Sequence, residues 1–84
     1  MLIFPVVCKT RLDLGFVIDA SSSLGQKNFE RCLKFVERII ESLKIGRGYT
    51  RVGVMLYSSN AAVKIRLGQY NYKQDLLKAV RRLR

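Results

Sequence analysis

The sequence predicts an α/β domain, and three observations carry that reading. Leu12 to Ile18 (LDLGFVI) and Val52 to Tyr57 (VGVMLY) are nearly continuous apolar runs. Such runs suit strands buried on both faces, as in a parallel sheet. Between them Phe29, Cys32, Leu33, Val36, Ile39, Ile40 and Leu43 recur at spacings of three and four, the signature of an amphipathic helix. A strand, a helix and a parallel strand make one right-handed crossover unit.

The elements follow in order. Residues 1–11 read as an N-terminal extension and 12–84 as the organised part. Leu2 to Val7 is apolar but short, and no basic leader precedes it. It fits neither a transmembrane segment nor a secretory core, so no export signal is expected. The first strand ends at Asp19, and Ser21 to Gly25 form a polar loop. The helix then shows Lys34, Glu37, Arg38 and Glu41 to solvent and ends near Ile45-Gly46 and Gly48. After the second strand, Ser58-Ser-Asn60 turns the chain. Val63, Ile65 and Leu67 alternate with Lys64 and Arg66, so Ala61 to Leu67 reads as an edge strand with one wet face. Asn71 and Gln74 stand as a capping box for a last helix, whose inward stripe is Leu76, Leu77, Val80 and Leu83. The order is strand, helix, strand, strand, helix, and a further strand is expected after the last helix.

Composition narrows the function. The chain has 84 residues, room for one small domain, and 49% of them are apolar. Sixteen Lys and Arg against six Asp and Glu give a net charge of +10. That balance favours acidic partners: nucleic acid, sulfated polysaccharide, anionic membrane or an acidic protein face. The bases are scattered, which is also how a solvated surface reads; only Arg81, Arg82 and Arg84 cluster. Histidine is absent and Cys8 and Cys32 are the only cysteines, which removes His-based catalysis and a zinc site of the usual type. No nucleic-acid motif is present, and Tyr49, Tyr57, Tyr70 and Tyr72 fall on different elements.

Asp19, Ser21 and Ser23 are spaced by two at the carboxyl end of the first strand, where open α/β sheets bind ligands. In an extended segment that spacing puts one carboxylate and two hydroxyls on one side, with Ser22 turned away. All three offer hard oxygens, which suit Mg²⁺, Mn²⁺ or Ca²⁺. The same composition also serves an ordinary turn or helix cap.

The stretch Leu12-Asp-Leu-Gly-Phe-Val-Ile-Asp-Ala-Ser-Ser-Ser23 resembles the first strand and metal-ion-dependent adhesion motif, D-x-S-x-S, of von Willebrand factor A domains. Phe35-Val36 with Ile39-Ile40, Thr50-Arg-Val-Gly-Val54 with Tyr57-Ser58, and Asp75-Leu-Leu-Lys-Ala-Val80 resemble that family's following elements, in the flavour of the matrilin and collagen type. The resemblance implies a doubly wound, Rossmann-like α/β fold, of which this chain is the N-terminal half. It implies Mg²⁺ (or Mn²⁺ or Ca²⁺) on top of the sheet, with Asp19 acting through water, Ser21 and Ser23 directly, and an acidic residue of the partner completing the site. A threonine and an aspartate would come from loops beyond Arg84; neither Thr10 nor Thr50, both at the opposite end, can replace the threonine. Metal binding by this chain is therefore expected to be weak or absent. Cys8 would pair with a cysteine after the last helix, and Cys8 and Cys32 are expected not to bond to each other. The first strand's far edge is expected to be unpaired.

The function implied is that of an extracellular, secreted adhesion module whose parent domain binds matrix proteins such as collagen through this metal site, incomplete in this chain; the basic charge adds sulfated glycosaminoglycan as a further partner, and nucleic acid is excluded. The alternative is an A domain with a structural or assembly role and no metal dependence. No enzyme is expected: a phosphotransferase using Asp19 would want a second carboxylate where Ser21 stands.

Overall fold

A computed structural model describes residues 2–8 and 11–83, the backbone alone for 2–8 and Arg11. The elements are β1 Leu2–Cys8, β2 Arg11–Asp19, α1 Gln26–Ser42, β3 Arg51–Tyr57, β4 Ala61–Ile65 and α2 Lys73–Arg81. From β2 onward this is the expected order. The sheet runs β1-β2-β3-β4, with β2 and β3 parallel and both outer pairs antiparallel.

β1 changes the expected outline. The stretch read as an extension forms a strand along the outer edge of β2, in register from Leu2 opposite Val17 to Cys8 opposite Arg11. The edge expected to be bare is covered. The physical reason is local: an apolar segment closely preceding an open strand edge can satisfy that edge's amides with little loop-closure cost. Pro5 fits because β1 is itself an edge strand, where one missing donor is tolerated.

One face of the sheet builds the core. Leu14, Phe16 and Ile18 of β2 alternate inward with Val52 and Val54 of β3. Against them pack Phe29, Leu33, Val36 and Ile40 of α1 and Leu76, Leu77, Ala79 and Val80 of α2. The other face carries Gly15, Val17, Gly53, Met55, Val63 and Leu67 around a shallow cavity of about 210 Å³.

Three sequence expectations are corrected. Val63 and Ile65 do not share a face. A register shift pairs Val54 with Ile65 but Met55 with Val63, so Lys64 is an extra residue and the alternation reverses across it. Ile65 is buried while Val63 is exposed. Glu37 is not on the wet side of α1. It is 7% exposed, and Arg81 Nε donates to its Oε1 at 2.7 Å, tying α1 to α2. Asn71 and Gln74 form no capping box: the N-cap of α2 is Tyr72, without a side-chain cap. The Asn71 backbone lies against Gly46, where a Cβ would come within 3.2 Å of its carbonyl oxygen. Asp75 supplies negative charge in the first turn instead.

Candidate metal centre

β2 delivers Asp19 to the rim of the sheet opposite Tyr57, the last residue of β3. The pairing continues one residue further, with the Ala20 amide donating to the Tyr57 carbonyl at 2.7 Å. The loop is thus anchored to two strands before it turns. The Leu24 amide closes the turn onto the Ser21 carbonyl at 3.2 Å. Gly25, at φ 84°, then acts as N-cap of α1 without any side-chain cap. A positive φ is natural for glycine and strained for other residues. The loop serines therefore do not cap the helix.

The three residues singled out in the sequence come together. The Ser21 amide donates to Asp19 Oδ1 at 2.8 Å, and the Ser21 and Ser23 hydroxyl oxygens are 3.0 Å apart. Side-chain and backbone hydrogen bonds from Ser21 hold the Asp19 carboxyl below the ordinary aspartate value, so it is a carboxylate at neutral pH. The turn reading is also met, since the Asp19–Ser21 bond is an Asx-type contact. Ser22 is exposed and lines a cavity of about 190 Å³ with Ala20, Ser21, Gly25, Gln26 and Phe29, a lining that includes neither Asp19 nor Ser23. Thr50 precedes β3 at the far end of the sheet, next to the Asp13–Arg51 pair; Thr10 lies outside the described residues.

The donor set has one charge and two neutral hydroxyls. Among the described residues no group of three His, Cys, Asp or Glu side chains could hold a metal. A cation here would rely on the hydroxyls.

Two buried charges escaped the sequence reading. Asp13, 5% exposed, accepts a fork from Arg51: Nε to Oδ1 at 2.8 Å and Nη2 to Oδ2 at 2.6 Å. The signal was a carboxylate inside an apolar run, which demands a partner. Arg51 is its neighbour in the parallel register. Glu37 with Arg81 is the second case. Cys32 is a half-buried free thiol, and the Cys8 side chain lies outside the described residues.

Comparison with known proteins bears on the fold. The model of the von Willebrand factor type A domain matches residues 13–84. Human matrilin-3 is 45% identical over 78 residues, covering 92% of this chain and 16% of that protein. Mouse vitrin is 40% identical over 76 residues, covering 90% of this chain and 12% of that protein. Among solved structures, proximal thread matrix protein 1 from the mussel byssus aligns with a TM-score of 0.77 at 28% identity, over 83% of this chain and 19% of that one. A further structure of that mussel protein, with its MIDAS motif occupied by zinc, gives a TM-score of 0.76 at 29% identity, over 82% of this chain and 18% of that one. This chain thus spans less than a fifth of each of these proteins.

Proposed function

The chain belongs to the von Willebrand factor type A domain family, and on that premise we propose that it is an extracellular, matrix-protein-binding module. It engages its partner through a divalent cation held at Asp19, Ser21 and Ser23. It is a binding module and not an enzyme.

The observation that carries the reading is the spacing of the donors. Oxygens in adjacent positions around an octahedral Mg²⁺ lie about 2.9 Å apart, given Mg–O distances of about 2.0–2.1 Å. The Ser21 and Ser23 hydroxyls, hydrogen-bonded to each other at 3.0 Å, already stand at that separation. Beside them Asp19 is held ionised. A carboxylate with hydroxyls favours Mg²⁺ or Mn²⁺ over zinc, which prefers nitrogen and sulfur. The zinc found in the mussel protein's MIDAS motif supports the same motif accepting a divalent cation.

Asp19 offers charge, and Ser21 and Ser23 offer neutral oxygens that leave the cation's charge largely uncancelled. When bound, the cation supplies a positive centre for an acidic side chain of the partner. Three protein groups fill only part of an octahedron, so affinity for the cation alone is weak.

The test is binding of the 84-residue chain to immobilised fibrillar collagen and matrix extract, in Mg²⁺ and in EDTA. The expected result is little signal from the 84-residue chain alone and a clear one when it is joined to the rest of an A domain, a signal that EDTA removes and Asp19→Ala abolishes. Binding that survives both changes would instead favour a structural or assembly role without metal.

A further inference from the structure

Beyond the metal loop, four of the sixteen basic residues stand on one line. Lys27, Arg31, Lys34 and Arg38 of α1 follow one another at steps of four, three and four residues, and all are exposed. At about 100° per residue they fall within an arc of about 60°, spread over about 16 Å of helix. Phe29, Leu33, Val36 and Ile40 occupy the opposite side, buried in the core. The two described salt bridges are Arg51–Asp13 and Arg81–Glu37. Among the described residues none of the four α1 cations has an ionic partner; Arg31 makes only a 3.5 Å contact to the Asn28 amide.

The acids are placed so that they do not neutralise this line. Asp13 and Glu37 are buried in ion pairs, and Asp19 is in the metal loop. Glu30, held by Gln26 at 3.3 Å, and Glu41 border the stripe on one flank. The result is a single row of unpaired cations with a negative margin.

We propose that the solvent face of α1 binds a sulfated polysaccharide, with Lys27, Arg31, Lys34 and Arg38 as the sulfate contacts. A single row of charge suits one linear polyanion lying along the helix. A nucleic-acid duplex presents two phosphate strands across a groove about 12 Å wide, and the acidic flank would repel the second. An anionic membrane would gain only a modest attraction from each surface base, and the apolar face of the helix that would add insertion is occupied by the core. The matrix character named for the mussel neighbour fits a sulfated matrix polymer. The site does not depend on the cation reading, because no metal ligand takes part.

The experiment is elution of the full chain from immobilised heparin with a salt gradient, and titration of heparin in solution. The stripe variant carries K27Q, R31Q, K34Q and R38Q. A charge-matched control carries K44Q, R47Q, K64Q and R66Q, exposed bases off α1. Glutamine keeps helix propensity close to that of lysine and arginine, and circular dichroism checks the fold. The stripe variant is expected to lose about a hundred-fold in affinity and most of the salt dependence, the control only a few-fold, and EDTA is expected to change nothing. Equal losses in the two variants would overturn the proposal in favour of diffuse charge. So would loss of binding in EDTA, or tighter binding of duplex DNA or phosphatidylserine vesicles than of heparin at the same salt.

Discussion

Asp13 and Asp19 stand at the two ends of β2 and face the same side, yet their surroundings give them different roles. Asp13 is buried and its charge is met by the Arg51 fork. Asp19 sits at the rim and takes its hydrogen bonds from Ser21. Removing Arg51 leaves a buried carboxylate short of its main partner. Arg51 is itself 36% exposed, so water screens the pair in part. Arg51→Ala is expected to cost about 2 kcal/mol in urea unfolding, and Arg51→Lys less, since it keeps the charge but loses the fork. Equal stability of the Arg51→Ala variant and the parent would count against a structural role. For Asp19 the sign is that of a depressed carboxylate. Its hydrogen bonds favour the folded state fully above the unfolded value of about 3.9, and that contribution fades as pH falls through the lower folded value. Cation binding should follow the same charge: constant from pH 7 down to about 5, then lost below the ordinary carboxylate range. A fall in Mn²⁺ binding centred near neutral pH would point to another group. The D-x-S-x-S spacing made this site legible because period-two projection is a backbone property. The ion pair of Asp13 needed the register of β2 against β3, which no local pattern states.

At the level of elements, periodicity gave α1, α2 and the two parallel strands, because each buries one face or both against a neighbour. What it missed depends on contacts between elements. The reversal at Lys64 is set by how β4 must pair with β3 while the chain leaves toward α2. That exit passes close over Gly53: a Cβ there would lie 3.1 Å from the Leu67 nitrogen and 3.3 Å from the Ile65 oxygen, both backbone atoms. Gly53→Ala is therefore expected to destabilise by about 1–2 kcal/mol, measured by the urea midpoint, although alanine suits a strand better than glycine by propensity. A neutral or stabilising result would mean that the crossing is looser than described. The α2 start failed for a related reason. Asn71 had the right chemistry for a cap, but its backbone is committed to packing at Gly46, and the helix begins after Tyr72.

On the scale of the whole molecule, β1 decides whether the central apolar strand is paired on both sides. β2 has β1 along one edge and β3 along the other. Deleting residues 1–8 should expose the β2 edge, lower the urea midpoint and cause concentration-dependent light scattering. A monomeric variant of unchanged stability would show that β1 contributes little. This strand was hard to read from sequence because a short apolar run has no period that marks it as a partner for an edge. The same sheet carries Asp19 to its rim, where the loop is tied to β2 and, through Tyr57, to β3, so the metal reading rests on the fold being ordered around that loop. Paramagnetic broadening of amide signals by added Mn²⁺, in the ¹⁵N spectrum of the chain, tests this most directly because it detects weak binding and locates it. Broadening is expected to be strongest at amides around Asp19 to Gly25 and at Tyr57 across the sheet, to fade with distance from that rim, and to be absent in Asp19→Ala. Broadening centred elsewhere, or undiminished in Asp19→Ala, would contradict the metal reading.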